Sequence, residues 1–240
     1  MGIIVPAIIP KSKHDLDEKL ARLVGVASEV QIDIVDGKFA SPASWPYTEG
    51  GVEFAQLLAT GGELPNTSDL HIEMDLMVKD PEQVTGAWIS AGATRILAHF
   101  ESTTYLPRLI TDLKVKYGHD KEFASCLLSF GLAVNIDTNL ELIEPYIDDI
   151  DYVQFMGIKR IGVQGQPFAT EVLKKIALFR AKHYDMPIQV DGGVNLQSAA
   201  LLLSAGVSRL VVGSALWNAP DFNAEYAKFV ALTETHGLYE

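Results

Sequence analysis

The stretch PIQVDGGVNLQSAALLLSAGVSRLVVGSALW, residues 187–217, contains two apolar segments typical of strands, with one helical segment between them. Each strand runs into a turn of small residues, DGG after the first and GS after the second. The leucines and alanines between these turns predict a helix over 196–205. A strand, a helix and a strand in this order form a unit whose two strands lie parallel. The stretch therefore predicts a parallel sheet with helices packed against it.

The same alternation of strand and helix extends back to the start of the chain. Strands are predicted over 3–9, 30–39, 70–78, 95–100, 130–135, 152–157, 187–193 and 209–214. Helices are predicted after Ser12 and over 52–59, 82–90, 106–116, 140–147, 170–183, 196–205 and 222–233. Eight such units in 240 residues match the size of a (β/α)8 TIM barrel. A doubly wound open sheet is the alternative, but it usually needs a glycine-rich turn after its first strand, and VPAIIPKSK has none. We expect an α/β fold, a single TIM-barrel domain over residues 1–240.

Composition and charge limit the partners of this chain. It is 48% hydrophobic and carries a formal net charge of −12. Nucleic acids and anionic membranes need a basic protein face, so neither is expected as a partner. The only cysteine, Cys126, cannot form an internal disulfide, and the apolar run near the N-terminus is too short to span a bilayer. These observations predict a cytoplasmic protein that acts on a small molecule.

Polar residues collect where the predicted strands end, which is the edge at which a TIM barrel holds its active site. Asp33, Asp75 and Asp191 lie near the ends of the second, third and seventh strands. Similar positions are held by Gln31, Glu73, His99 and Glu101. A buried acid is costly unless it is paired, so acids at this edge usually have a function. For any single one of them, hydrogen bonding at a strand end is the alternative.

Small residues after the last two strands form a separate pattern. Gly192 and Gly193 follow the seventh strand, and Gly213 and Ser214 follow the eighth. Backbone N–H groups between a strand and the next helix can hold a phosphate, and the loops after strands 7 and 8 are the usual phosphate site of this fold. Either motif alone is weak, because glycine is common in tight turns. The pair predicts a phosphate-binding site.

Taken together, these motifs resemble those of the ribulose-phosphate 3-epimerases. IDIVDGKF, DLMVKDP, HFES, GQPF, VDGGV and VGSALW occur in the order found in that family, and the resemblance covers nearly the whole chain. It implies an isomerase that inverts C3 of a phosphorylated ketopentose through an enediolate. Asp33 and Asp191 match the two aspartates that exchange the C3 proton. The phosphate cradle and the pocket lining match Gly192, Gly193, Gly213, Ser214, Met77, Met156 and His99.

The family resemblance also implies a divalent cation, although this chain departs from the family at the metal-binding positions. Gln31 and Asp75 stand where the family has two histidines, so the implied ligands are Gln31, Asp33, Asp75 and Asp191. A ligand set made only of oxygen favours Mn²⁺ or Mg²⁺, with Fe²⁺ considered as well, over Zn²⁺. No organic cofactor is implied. Without a cation, crowded carboxylates should raise one another's pKa.

The sequence leaves two other functions and one oligomeric assembly open. A lyase or decarboxylase on the same barrel would need a lysine where Met77 stands. A sugar-phosphate-binding protein that kept the cradle and lost the metal chemistry would explain Gln31 and Asp75. A homo-oligomer is conceivable through outer helix faces that carry Trp88 or Trp217, although single aromatic residues are poor evidence for an interface.

Overall fold

The first turn of the first helix shows how local sequence sets each unit of the fold. In the computed structural model, which describes residues 2–119 and 128–236, the Ser12 hydroxyl accepts a hydrogen bond from the backbone N–H of Asp15 at 3.1 Å. This bond satisfies one of the N–H groups that a helix start leaves without a partner. Leu16, Leu20 and Leu23 then follow at helical spacing and are buried. The helix predicted after Ser12 is confirmed.

Eight parallel strands close into one barrel in the order β1 to β8. They are β1 (Ile3–Ile8), β2 (Glu29–Val35), β3 (His71–Met77), β4 (Arg95–His99), β5 (Ser129–Val134), β6 (Tyr152–Met156), β7 (Ile188–Asp191) and β8 (Arg209–Val212). Each strand pairs with the next, and β1 pairs with β8. The predicted TIM barrel is confirmed. Each strand ends between one and four residues before its predicted end, because the turn that follows it is not part of the sheet.

Helices cover the outside of this barrel. They are α1 (Lys13–Leu23), α2 (Val52–Ala59), α3 (Thr85–Ser90), α4 (Leu106–Tyr117), α5 (Glu171–Arg180), α6 (Leu196–Ser204), α7 (Ser214–Trp217) and α8 (Phe222–His236). The expected helix over 82–90 is divided, because a 3₁₀ turn at Pro81–Gln83 precedes α3. The expected helix over 140–147 is wrong: the chain forms 3₁₀ turns at Leu140–Leu142 and Glu144–Asp149. Pro145 lies in the second turn, and proline has no N–H for a helical bond.

The two tryptophans considered for a subunit interface are both held within the molecule. Trp88 is 1% exposed, and its ring packs against those of Trp45 and Phe54. The Trp217 indole N–H donates to the carbonyl of Ala7 at 2.7 Å. Trp88 therefore does not lie on an outer face, contrary to that expectation. Cys126 lies outside the described residues. Within 2–119 and 128–236, no helix is both long and apolar enough to cross a membrane.

Candidate active site

A cavity opens at the carboxyl ends of the strands, and most of the predicted substrate residues line it. About 480 Å³ of empty space lies within it, part of which is open solvent. Asp33 and Asp191 line this cavity from β2 and β7. The remaining predicted residues in its wall are Met77, Met156, Gly192, Gly193, Gly213 and Ser214. The structure thus brings both predicted catalytic aspartates and the predicted phosphate cradle to one space.

The two aspartates influence each other's protonation. Burial raises the pKa of Asp33 well above its usual value, and the charges of Asp191 and Asp75 raise it further. Burial and the charge of Asp75 raise the pKa of Asp191 to about 7, against the opposing charge of His99 and a hydrogen bond from the backbone N–H of Gly192. The predicted mutual effect of the crowded carboxylates is confirmed for these two groups.

His99 and Asp75 lie beside the cavity and are themselves fully buried. The His99 Nε2 atom is 3.1 Å from Oδ1 of Asp75, and both side chains have no exposed surface. Burial alone would lower the pKa of His99, but the charge of Asp75 raises it above the usual value. The His99 ring also packs against Phe39, with the ring centroids 5.4 Å apart. His99 therefore supports the site from behind the cavity wall. It does not line the pocket, contrary to the prediction.

Three buried glutamines form a layer directly beneath the carboxylates. We call Gln31, Gln154 and Gln189 the amide layer; none of them has exposed surface. The Gln31 amide donates to Oδ1 of Asp33 at 2.8 Å, and the Gln154 amide donates to Oδ2 of Asp75 at 3.3 Å. The carboxylates of the mouth thus receive hydrogen bonds from below.

The residues implied as metal ligands do not fit a divalent cation in this arrangement. The Gln31 oxygen accepts from Gln189 at 3.0 Å, so its N–H groups, not its oxygen, face Asp33. Oδ2 of Asp75 accepts from the Gln154 amide at 3.3 Å, whereas Oδ1 lies 3.1 Å from the His99 ring without a hydrogen bond. Among the described residues, no group of three or more His, Cys, Asp or Glu side chains is placed to hold a metal. The cation implied by the family stays a prediction, and no step below depends on it.

Two acids that were predicted to lie at the barrel mouth have structural roles instead. Glu73 lies beside Gln31 at the level of the amide layer, where its Oε2 accepts from Arg95 at 2.8 Å and lies 3.7 Å from Arg209. Glu101 accepts from the backbone N–H of Asn135 at 2.9 Å and fixes the chain after β5. Both positions follow from strand direction, because Glu73 precedes Asp75 by one full step of the pleat and Glu101 lies beyond the end of β4.

The phosphate cradle contains a side chain that the sequence did not single out. A Cβ atom at Gly213 would lie 2.8 Å from Nε2 of Gln164, so this amide sits over the turn after β8. Gln164 belongs to the loop after β6, and residues 162–166 all line the cavity. Gln166 fastens this loop by donating to the carbonyl of Val163 at 2.8 Å. The cradle therefore has side-chain donors in addition to the backbone of Gly193, Gly213 and Ser214.

Sequence inspection missed Gln154 and Gln189, although a signal for them was present. Inward positions recur every second residue along a strand. Gln31, Gln154 and Gln189 each stand two residues before a residue that lines the cavity, namely Asp33, Met156 and Asp191. This repeated spacing on separate strands would have identified the amide layer.

Comparison with known proteins places this geometry in a family context. The profile of the Ribulose-phosphate 3 epimerase family matches residues 3–217. Ribulose-phosphate 3-epimerase of Bacillus subtilis is 29% identical over 202 residues, covering 82% of this chain and 83% of the relative. The chloroplastic ribulose-5-phosphate-3-epimerase of Arabidopsis thaliana is 30% identical over 228 residues, covering 92% and 73%. These matches confirm the resemblance seen in the motifs and the prediction of an enzyme of an isomerase family.

Solved structures of other activities share the barrel. The 3-hexulose-6-phosphate synthase of Salmonella typhimurium has a TM-score of 0.64 at 13% identity, covering 98% of this chain and 99% of that chain. The 3-keto-L-gulonate-6-phosphate decarboxylase of Vibrio cholerae has a TM-score of 0.65 at 14% identity, covering 98% of both chains. At these identities the likeness shows the fold alone.

Proposed function

Because the chain belongs to the ribulose-phosphate 3-epimerase family, we propose that it is an isomerase that inverts C3 of a phosphorylated ketopentose. One observation carries this proposal: Asp33 and Asp191 line the same cavity as the glycine turns that suit a phosphate. Their strands β2 and β7 are separated by β8 and β1 in the barrel wall, so the two acids approach a bound sugar from different sides.

The protonation of the two aspartates suits an exchange of one proton between two faces of a planar intermediate. Epimerisation needs an ionised group to remove the C3 proton and a protonated group to return one from the other side. The raised pKa of Asp33 favours its protonated form, while the pKa of Asp191, about 7, leaves part of it ionised near neutral pH. Asp191 then acts as the base and Asp33 as the acid in one direction, and the roles reverse in the other.

The substrate phosphate would lie over the turns after β7 and β8. Backbone N–H groups of Gly193, Gly213 and Ser214 and the Gln164 amide are the donors offered there. Neutral donors are suitable in a protein of net charge −12, since they hold the anion at short range without relying on the overall field. Met77 and Met156 supply the apolar part of the wall.

Exchange of the C3 hydrogen for deuterium tests this function directly. We would incubate the protein with ribulose 5-phosphate in D₂O, with EDTA and then with Mn²⁺, Mg²⁺, Fe²⁺ or Zn²⁺, and follow C3 by NMR. Asp33→Asn and Asp191→Asn should each slow inversion at C3 by at least about 10³-fold, because each removes one of the two proton-transferring groups. Binding of inorganic phosphate should stay within about twofold, since neither carboxylate belongs to the cradle.

The control is Asp185→Asn, a change of the same chemistry at an exposed position. It should leave the exchange rate unchanged. Phosphate binding without exchange under any of these conditions would overturn the isomerase and support a sugar-phosphate-binding protein. Inversion at C3 that survives in either active-site variant would show that the two roles are assigned to the wrong residues.

A further inference from the structure

The amide layer is connected to a buried arginine at the far side of the barrel from the mouth. Nε of Arg209 donates to the oxygen of Gln189 at 2.6 Å, and Arg209 is 6% exposed. The Nε2 atom of Gln189 in turn lies 3.0 Å from the oxygen of Gln31 and 2.6 Å from the oxygen of Gln154. A continuous chain of hydrogen bonds therefore runs from Arg209 up to the carboxylates of Asp33 and Asp75.

This chain has a direction, and Arg209 sets it. A guanidinium has only donors, whereas a glutamine amide has a donor side and an acceptor side. Because Arg209 occupies the oxygen of Gln189, the Nε2 side of Gln189 must face the other two amides, and its two N–H groups are shared between their oxygens and Glu73. Gln31 and Gln154 must then offer their oxygens downward and their N–H groups upward. An amide turned the other way would place its oxygen against a carboxylate.

Buried amides are unusual at this place in a barrel, so packing alone does not explain the amide layer. The interior of a TIM barrel is normally packed with branched apolar side chains. A buried amide costs free energy unless its polar atoms are bonded. Cross-strand register places Gln154 beside Gln189 and Gln31 beside Glu73, so the strands themselves bring these groups to one level. Glu73 adds an acceptor, since its Oε1 lies 2.5 Å from Nε2 of Gln189.

We propose that Gln189, oriented by Arg209, is a positioning residue that keeps the donor sides of Gln31 and Gln154 turned toward Asp33 and Asp75. It touches no substrate and acts through the other two amides. Its consequence for catalysis rests on the isomerase function proposed above. With the donors in place, Asp33 is held in one rotamer with Oδ1 bonded from below, which leaves its other oxygen for the substrate.

Two substitutions at one position separate orientation from packing. Gln189→Glu keeps the shape of the side chain and the acceptor for Arg209 but removes the two N–H donors. Gln189→Met keeps approximately the same volume and removes both the acceptor and the donors. Both should lower kcat for C3 exchange by about tenfold or more, the loss expected when a charge-assisted hydrogen bond is disrupted, with KM within about twofold. Gln56→Met, the same change on the exposed side of α2, is the matched control and should change neither value.

Side-chain amide resonances decide the proposal independently of activity. In protein labelled with ¹⁵N-glutamine, the Gln31 and Gln154 signals are assigned by their loss in Gln31→Leu and Gln154→Leu. Both signals should move in Gln189→Glu and Gln189→Met and stay in place in Gln56→Met. If they do not move, the positioning role is wrong, whatever happens to kcat. If the unsubstituted protein shows no exchange while the signals move as expected, the isomerase function falls and the positioning role stands.

Discussion

The two ends of the barrel interior treat buried acids in opposite ways. At the lower end, burial alone would raise the pKa of Glu73, but Arg95 and Arg209 together hold it below the usual value. At the mouth, burial and neighbouring carboxylates raise the pKa of Asp33 well above the usual value. Yet Glu73 and Asp33 lie on adjacent strands, and each is almost completely buried.

The pKa values of Glu73 and Asp33 differ because of their charged partners and not because of burial. A carboxylate that faces two guanidinium groups stays ionised and contributes to structure. Carboxylates that face each other hold protons near neutral pH, which is what acid–base chemistry requires and what a stable core avoids. In this molecule the amide layer lies between Arg209 and the carboxylates of the mouth, since the guanidinium is bonded to Gln189.

Removing a cation at the lower end should produce the largest change in stability. Arg95→Met leaves Glu73 buried with one fewer guanidinium partner, and we expect the free energy of unfolding to fall by about 3–5 kcal/mol. Urea unfolding at pH 7 measures this. The double variant Arg95→Met with Glu73→Met removes the orphaned charge and should recover most of the loss. A double variant that is less stable than Arg95→Met would contradict the ion-pair explanation.

The two ends of the barrel interior could be predicted from the sequence to different extents, because they depend on different kinds of information. Asp33 and Asp191 could be identified because they lie at or near strand ends, and strand ends can be recognised from local patterns of hydrophobicity. The place of Glu73 could not, since its partners Arg95 and Arg209 come from β4 and β8, and their convergence depends on barrel register. The same holds for Gln31, whose donor orientation depends on a glutamine 158 residues away in the chain. Local propensity also failed over 140–147, where 3₁₀ turns replace the helix.

The protons at the mouth should make the free energy of unfolding depend on pH. The native pKa of Asp191 is about 7 and its ordinary value is 3.8, so between these pH values the native state binds a proton that the unfolded state releases. Stability therefore falls as the pH rises from about 4 to about 7, by up to about 4 kcal/mol in total. Asp191→Asn removes this contribution, so it should be more stable than the unsubstituted protein at pH 8 and nearly equal to it at pH 4.

Urea unfolding of both proteins between pH 4 and pH 8 measures the difference. His99, whose pKa is also raised, contributes a loss in the same direction, and comparison with the single variant isolates Asp191. Asp185→Asn, at an exposed position, should follow the unsubstituted protein throughout. A constant difference between Asp191→Asn and the unsubstituted protein at all pH values would mean that Asp191 is not protonated in the native state.

In the cradle, backbone geometry and not charge distinguishes neighbouring glycines. Gly193 has φ of +67°, and a Cβ atom there would lie 2.6 Å from backbone atoms of Phe168, which cannot rotate away. Gly165 has φ of +79° with no atom within 4 Å of its Cβ position. Gly193→Ala should therefore cost about 1–3 kcal/mol for the collision in addition to about 1 kcal/mol for the left-handed backbone, whereas Gly165→Ala should cost only the latter.

The affinity for phosphate is a second measurement that distinguishes these two alanine substitutions. Relief of the collision at Gly193 must move the chain at Phe168, which follows the loop that carries Gln164 over the cradle. Titration with inorganic phosphate should therefore show at least about tenfold weaker binding for Gly193→Ala, the equivalent of one charge-assisted hydrogen bond. Gly165→Ala should bind within about twofold of the unsubstituted protein. Equal losses of phosphate affinity in both variants would place the anion on the loop after β6 and not on the turn after β7.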